Sequence, residues 1–467
     1  MAGLAAGLLF SLIGCEVGPD YHRPAMERPA RFKSQDATRP AANAAITPQW
    51  WTLFHDPALD HLVAIANTYN QDLRAAIARV DEARALARIA GSYLFPTVTL
   101  DPTFTRAQTS GNRVSPITGQ KTPAFTYNDW LVPFDLRYEV DIWGRVRRQL
   151  ETVAAQARAT AFDQSVIRLT VDTDVAVYYF TLRSLDAQRQ ILGQNVAAYR
   201  EQVRIVTAQL KNGLISTIDV SQAQAQLNAT LAQWRDIERA RADEEHALAT
   251  LCGRPAPLFS VAADPLLFTA PPQAPPGLPA QLLNRRADVA EAEQNLIAAN
   301  AQIGVATADF YPVFTLTGSA GFESASVQNI FDWRSKIASI GPSFSAPIFE
   351  GGRLANNLEY TKARFREALA AYVKQLLIAY GDVENALTDL HALTDEARML
   401  TAAVDSSKNY LRIARVQYFR GLVSYLTVID AERTLLANQL SLSQTMNQQM
   451  SASVHLIQAL GGGWTPQ

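Results

Sequence analysis

Residues 72–100 read DLRAAIARVDEARALARIAGSYLFPTVTL, and residues 288–316 read DVAEAEQNLIAANAQIGVATADFYPVFTL. Both open on Asp, run through small and apolar residues at helical spacing, and meet an aromatic–proline pair, Phe95-Pro96 or Tyr311-Pro312. Beyond the proline, threonine alternates with apolar residues. Helix therefore gives way to strand at the same point twice. Proline removes a helical donor, and alternation with period two suits a half-covered sheet. The two segments are offset by 216 positions. Further along the offset is 208. Gly144-Arg145 pairs with Gly352-Arg353, Gly213-Leu214-Ile215-Ser216 with Gly421-Leu422-Val423-Ser424, and Gly253 with Gly461. An ordered series of matches through both halves is an internal duplication. The offset changes once, between Pro96 and Gly144, as a loop of different length requires.

The duplication sets the domain plan. Repeat 1 spans residues 71–254 and repeat 2 spans 286–463. Each reads as helix, β-hairpin, long helix and closing helix. In repeat 1 the hairpin is expected at 95–141, the long helix at 144–211 and the closing helix at 216–251. In repeat 2 the same parts fall at 312–349, 352–420 and 424–460. A segment at 15–70 precedes them, extended and proline-rich, with a short helix beginning at Asp56-Pro57. Asp suits the N-cap there and Pro the first helical position. Residues 255–285 form a proline-rich linker between the repeats, expected to run over packed helices.

The long helices carry a heptad seam. Phe365, Leu369, Tyr372, Leu376, Ala379, Val383, Ala386, Leu390, Leu393, Ala397, Leu400, Val404 and Leu411 follow steps of four and three, with Ser407 as a polar intruder. Leu182, Leu185, Leu192, Val196, Tyr199, Val203, Val206 and Leu210 do the same, with Arg189 as the exception. Such spacing implies left-handed coiling. A helix over 144–211 would be roughly 100 Å long at 1.5 Å per residue. The many Ala, Tyr and Val at seam positions suit side-by-side packing of several helices.

The hairpins alternate. Phe134, Leu136, Tyr138 and Val140 face one way; Asp135, Arg137, Glu139 and Asp141 face the other. Val98, Leu100 and Phe104 oppose Thr97, Thr99, Asp101, Thr103 and Thr105; Phe314, Leu316 and Phe322 oppose Thr315, Thr317, Ser319 and Glu323. Phe344 and Ile348 oppose Ser343 and Ser345. A soluble hairpin with one covered face would read this way too. Two points favour a membrane barrel. Leu131–Asp141 is long enough for a tilted strand to cross a bilayer. Tyr127 and Trp130 at one end, with Trp143 at the other, resemble interfacial aromatic girdles. No run of about 18 apolar residues follows the N-terminus, so any span in the body must be made by strands. Four strands cannot close, and an open edge in lipid leaves backbone groups unsatisfied. Two copies would give a barrel filled by side chains; three give twelve strands around an open lumen, which the polar strand faces favour.

The N-terminus, MAGLAAGLLFSLIGC, looks like a processing signal over residues 1–14. Leu12-Ile13-Gly14-Cys15 fits the bacterial lipobox, in which the cysteine thiol takes a diacylglycerol and its amine an acyl chain. No Lys or Arg precedes the apolar stretch, so a start upstream of Met1 stays open. Glu16 after the cysteine is compatible with sorting to the outer membrane. With Cys15 acylated, Cys252 is left as a small core residue. The formal net charge of −2 leaves no strongly basic face for nucleic acid. The six histidines (22, 55, 61, 246, 391 and 455) lack metal spacing, and neither a P-loop nor G-x-S-x-G occurs. The expectation is therefore no enzyme and no metal or cofactor.

Together these features resemble the outer-membrane factor family of TolC-type channels. Within it they resemble the NodT-like lipoprotein branch serving resistance–nodulation–division efflux pumps. Cys15-Glu16-Val17-Gly18-Pro19-Asp20-Tyr21, with Arg23-Pro24, is similar to that branch's mature N-terminus. Trp50-Trp51 with Phe54 and Asp56-Pro57 resembles its next signature. Leu278-Pro279, Leu282-Leu283, Arg285-Arg286, Asp288-Val289 and Ala292-Glu293 resemble the opening of its second half, though Ala287 stands where the family usually has proline. Ala459-Leu460-Gly461-Gly462-Gly463-Trp464 matches its ending. The resemblance implies a mainly α fold with a membrane β-barrel portion. It implies a homotrimer forming a 12-stranded barrel continued by a coiled α-helical barrel. The function implied is a passive outer-membrane duct. Its expected partners are a periplasmic adaptor (membrane fusion) protein, an inner-membrane pump and outer-membrane lipid. A type I protein-secretion duct shares the fold and stays open. A periplasmic coiled-coil lipoprotein would explain the heptads but not the alternating strands.

Four glycine-led turn residues in each half are the expected adaptor-docking tips: Gly213, Leu214, Ile215 and Ser216, then Gly421, Leu422, Val423 and Ser424. Exposed apolar turns invite a partner. By resemblance, Asp219, Tyr418 and Asp430 match the periplasmic gate, two aspartates lining the closed entrance and a tyrosine tying neighbouring helices. Ser216-Thr217-Ile218-Asp219 also spells a capping box. Thr427 and Val423 depart from TolC itself, which is charged at both.

Overall fold

Helix lengths repeat between the two halves. Helices α2 (Gln71–Ser92) and α5 (Ala287–Ala308) each have 22 residues. Helices α3 (Arg145–Lys211) and α6 (Arg353–Phe419) each have 67, and α4 (Thr217–Leu251) and α7 (Tyr425–Ala459) each have 35. Helix α1 is Pro57–Tyr69. The strands are β1 (Thr97–Leu100), β2 (Thr103–Gln108), β3 (Thr126–Val140), β4 (Val313–Ser324) and β5 (Lys336–Ser345). The computed structural model describes residues 16–26, 29–34, 46–114, 117, 119–266, 271–272 and 285–464. Cys15, the segment 1–14 and most of the linker's second half lie outside the described residues. The chain divides into two compact units.

The first unit comprises the N-terminal stretch to Pro24, Asp81–Thr160 and Ala292–Tyr372. It contains one antiparallel sheet in the order β1/β2–β3–β4–β5. β1 and β2 are a single strand in register, interrupted once. Leu100 pairs with Phe134 and Thr103 with Leu131, so Asp101-Pro102 falls opposite Val132-Pro133. Each strand has a proline at the break, and neither proline can donate to the ladder there. β3 joins the two hairpins through eleven consecutive pairs, from Trp130↔Ser324 to Val140↔Phe314. β4 and β5 pair from Val313↔Ser345 to Phe322↔Lys336.

The pleat sorts the side chains as the alternation requires. Val98, Leu100, Phe134, Leu136, Phe314, Leu316, Ala338, Ile340 and Phe344 share one face. Thr97, Asp135, Arg137, Glu139, Thr317, Ser319 and Ser343 share the other. Tyr127 stands in the polar register and Trp130 in the apolar one, so only Trp130 can serve an outward girdle. The apolar face is not covered: Val98 is 61% exposed, Ile340 78% and Phe344 73%. Ile348 falls beyond β5.

In the same unit the segment after Cys15 lies along the helices. The Val17 N–H donates to the Trp143 carbonyl at 3.1 Å. The buried Arg148 guanidinium meets Glu16, Asp20 and Glu151 at 3.1, 2.7 and 2.8 Å. Tyr21 and Arg23 both donate to Glu293.

The second unit comprises Ala25–Val80, Ala161–Glu291 and Val373–Gln467. Its core gathers Trp50, Leu59, Val63, Val175, Tyr179, Leu248, Cys252, Val383, Val454 and Ile457. Cys252 is fully buried, and burial pushes its thiol up to about 11. Asp56 caps α1 by accepting from the Ala58 and Leu59 N–H groups. It also takes the Tyr179 hydroxyl at 2.9 Å and the Arg183 guanidinium. A Cβ on Gly253 would lie 2.1 Å from the Tyr69 carbonyl oxygen, and one on Gly461 would lie 1.8 Å from that of Arg285. Only glycine permits these two equivalent approaches. Every seam position expected in α6 is buried or half-buried, as are those in α3. Ser407 fits because it donates to the Ala403 carbonyl and accepts from Asn438 at 2.7 Å.

Candidate functional site

Two features can carry function: the helix tips in the second unit and the exposed sheet face in the first. Both tips end on the same turn. Gly213 has φ +69° and Gly421 φ +71°. The Gly213 N–H donates to the Leu210 carbonyl at 2.9 Å and the Leu214 N–H to Gln209 at 3.0 Å. Gly421 to Tyr418 and Leu422 to Gln417 repeat this at 2.9 Å each. This is the Schellman pattern, in which a left-handed glycine lets the last carbonyls be satisfied.

The turn aims its apolar residues unequally. Leu214 is 72% exposed and Leu422 68%. Ile215 instead packs against a cluster of Val206, Ala223, Ala414, Tyr425, Val428 and Ile429, and Val423 is half-buried. Three further apolar residues are exposed beside the turns: Phe419, Ile218 and Leu426. The sequence reading missed them because each sits at a helix terminus, where periodicity gives no face.

The two helices after the turns start differently. Ser216 and Asp219 form the full capping box: the Ile218 N–H donates to Ser216 Oγ and the Ser216 N–H to Asp219 Oδ2, both at 3.1 Å. Ser424 makes no side-chain cap, and Thr427 occupies the place equivalent to Asp219, so the reciprocal bond is missing as well.

Of the three gate candidates, Asp219 and Tyr418 are neighbours. Burial, and secondly the Asp219 carboxylate, push the Tyr418 phenol above its ordinary range. The Tyr418 ring also packs on Tyr425, centroids 5.5 Å apart. Asp430 stands elsewhere. Its Oδ2 accepts from the Tyr410 hydroxyl at 3.2 Å, a partner the sequence reading did not single out. Farther in, Arg415 donates to the buried Glu432 at 2.9 Å. Among the described residues no group of three His, Cys, Asp or Glu could hold a metal ion, and no described helix is long and apolar enough to cross a membrane.

The outer membrane efflux protein family model matches residues 62–254 and 278–462, the two repeats in turn. The chain belongs to the outer membrane efflux protein family. It is 34% identical over 467 residues to the solvent efflux pump outer membrane protein SrpC of Pseudomonas putida, covering 98% of this chain and 97% of that one. It is 30% identical over 458 residues to the cation efflux system protein CusC of Escherichia coli, covering 97% of each. The solved outer-membrane channel OprN superposes with a TM-score of 0.90 at 30% identity, covering 97% of this chain and all of that one. This efflux protein therefore has the TolC-type fold that the family resemblance implied, and it is an outer-membrane component of an efflux pump. Its sheet is the membrane portion: an uncovered apolar face suits lipid, and the opposite polar face suits a lumen.

Proposed function

We propose that three copies of this efflux protein close a twelve-stranded barrel, with the long helices forming the periplasmic part of one passive duct. The observation that carries this is the open sheet. Among the described residues β1/β2 and β5 have no further strand partner, so both edges need other copies. The tips at Gly213–Ser216 and Gly421–Ser424 take the periplasmic adaptor, and the inner-membrane pump delivers substrate through it. Exposed Leu214 and Leu422 supply the apolar contact. No reaction or cofactor is involved. The named relatives handle solvents and cations, so the duct passes what its pump supplies.

The gate reading rests on Asp430 and Tyr418, with Asp219 occupied as a helix cap. Asp219 and Asp430 from each of three copies, six carboxylates in all, would line the narrow entrance at separate positions and attract cations. Asp430→Ala combined with Tyr418→Phe should raise single-channel conductance in planar bilayers several-fold. Conductance equal to wild type would remove the gate from these residues.

Cys15 is read as the lipid-bearing residue. Its neighbour Glu16 lies against Gly144, where a Cβ would come within 3.1 Å of the Glu16 Cα, so the segment starts at the foot of the sheet. Mass spectrometry of the mature N-terminus should show a diacylglycerol-plus-acyl addition that Cys15→Ser abolishes. An unmodified mature Cys15 would refute the anchor.

A further inference from the structure

The outward face of the sheet has one property that its role as a lipid-facing wall does not require. In register, that face presents Val98, Leu100, Phe104, Arg106 and Gln108 from β1/β2, and the even-numbered residues of β3, β4 and β5. Among these strand residues only two are charged, Arg106 and Lys336, and both are cations. The carboxylates of the strands, Asp129, Asp135, Glu139 and Glu323, all stand in the opposite register.

Both cations lie at the same end. The foot of the sheet is where α2 leads into β1 at Thr97 and β3 leads into α3 at Arg145. Arg106 is near the far end of β2, and Lys336 is the first residue of β5. Both side chains are exposed. Aromatic rings mark this rim as the interface: Phe104 and Trp130 have centroids 4.4 Å apart, and Phe322 and Phe331 5.6 Å apart. The Lys336 ammonium sits 4.0 Å above the Trp333 ring centre. Trp333 thus holds the cation at headgroup level while its own ring stays at the apolar boundary.

A charge on a lipid-facing strand is disfavoured unless something at that depth answers it. Solvent would answer either sign. A surface that keeps only positive charge, at only one end, is complementary to anions fixed in the outer leaflet. We propose that Arg106 and Lys336 form an outer-rim site for phosphate groups of outer-leaflet lipid, with the Phe104–Trp130 and Phe322–Phe331 pairs taking the adjoining acyl chains. Arg106 and Lys336 stand on the two edge strands. If copies join edge to edge, each seam brings a strand bearing Lys336 beside a strand bearing Arg106. The site therefore rests on the barrel reading above.

The test is lipid binding to the full-length, detergent-purified oligomer, followed by native mass spectrometry. The probes are a diphosphorylated acyl-glucosamine disaccharide and the same lipid without phosphates. The wild-type channel should prefer the phosphorylated lipid by about 30-fold, from two basic contacts at a membrane surface. Arg106→Gln with Lys336→Gln should abolish the preference, and Arg106→Lys with Lys336→Arg should keep it. Arg137→Gln, which removes one positive charge from the polar face, should leave it unchanged. Equal binding of both lipids, an undiminished preference in the double Gln variant, or an equal loss in Arg137→Gln would overturn the site. A wild-type chain that fails to form an oligomer would overturn the barrel reading and the site together.

Discussion

Asp172 is a carboxylate in a place that disfavours charge. It is buried on α3, and burial pushes its pKa up to about 7, although the Asn67 amide at 2.6 Å and the Arg168 charge act the other way. Between the ordinary carboxylate range and that value the folded chain holds a proton that the unfolded chain has released. Stability is then greatest at acid pH and falls as pH rises through about 7. Asp172→Asn should raise the thermal midpoint clearly more at pH 8 than at pH 5, followed by circular dichroism. An equal effect at both values would show that the carboxylate is ionised throughout. Nothing in the sequence marks Asp172, since an acidic residue on a long polar helix ordinarily faces solvent. The turn glycines were legible, by contrast, because Gly213 and Gly421 each break a seam just before a fresh helix start. The partners of the gate candidates were not. Tyr410 meets Asp430 across two helices, and no spacing rule ties positions twenty apart.

At the scale of elements, the two repeats share helix lengths but not helix starts. In α7 neither half of the capping box forms, since Ser424 makes no side-chain cap and Thr427 stands in place of an acidic residue. Ser216→Ala should therefore cost about 1 kcal/mol and Ser424→Ala only a few tenths. Amide exchange in the first turn of α4 and of α7 would read this directly. Equal acceleration in both helices would mean that the box contributes nothing. Heptads and strand alternation were legible because both follow from where side chains must point. The broken first strand was not. Pro102 and Pro133 lie 31 positions apart in sequence, and only the pairing register places them together. The wall formed by β3 and β4 was hidden for the same reason, since a hairpin pattern does not say which edges of separate hairpins meet.

For the whole molecule, the duplication explains why one chain supplies two equivalent hairpins and two equivalent tips. It also explains why closure must come from outside the chain. An apolar face left bare and two unpaired edges are unstable features in water and ordinary ones in a closed membrane barrel. The number three rests on barrel closure, on the polar character of the inward face and on the family resemblance. Electrophoresis of the outer-membrane fraction, with and without boiling and after brief crosslinking, tests it most directly. An oligomer of three chains should survive unboiled detergent and collapse to one chain on heating. A protein recovered as a soluble monomer would contradict it.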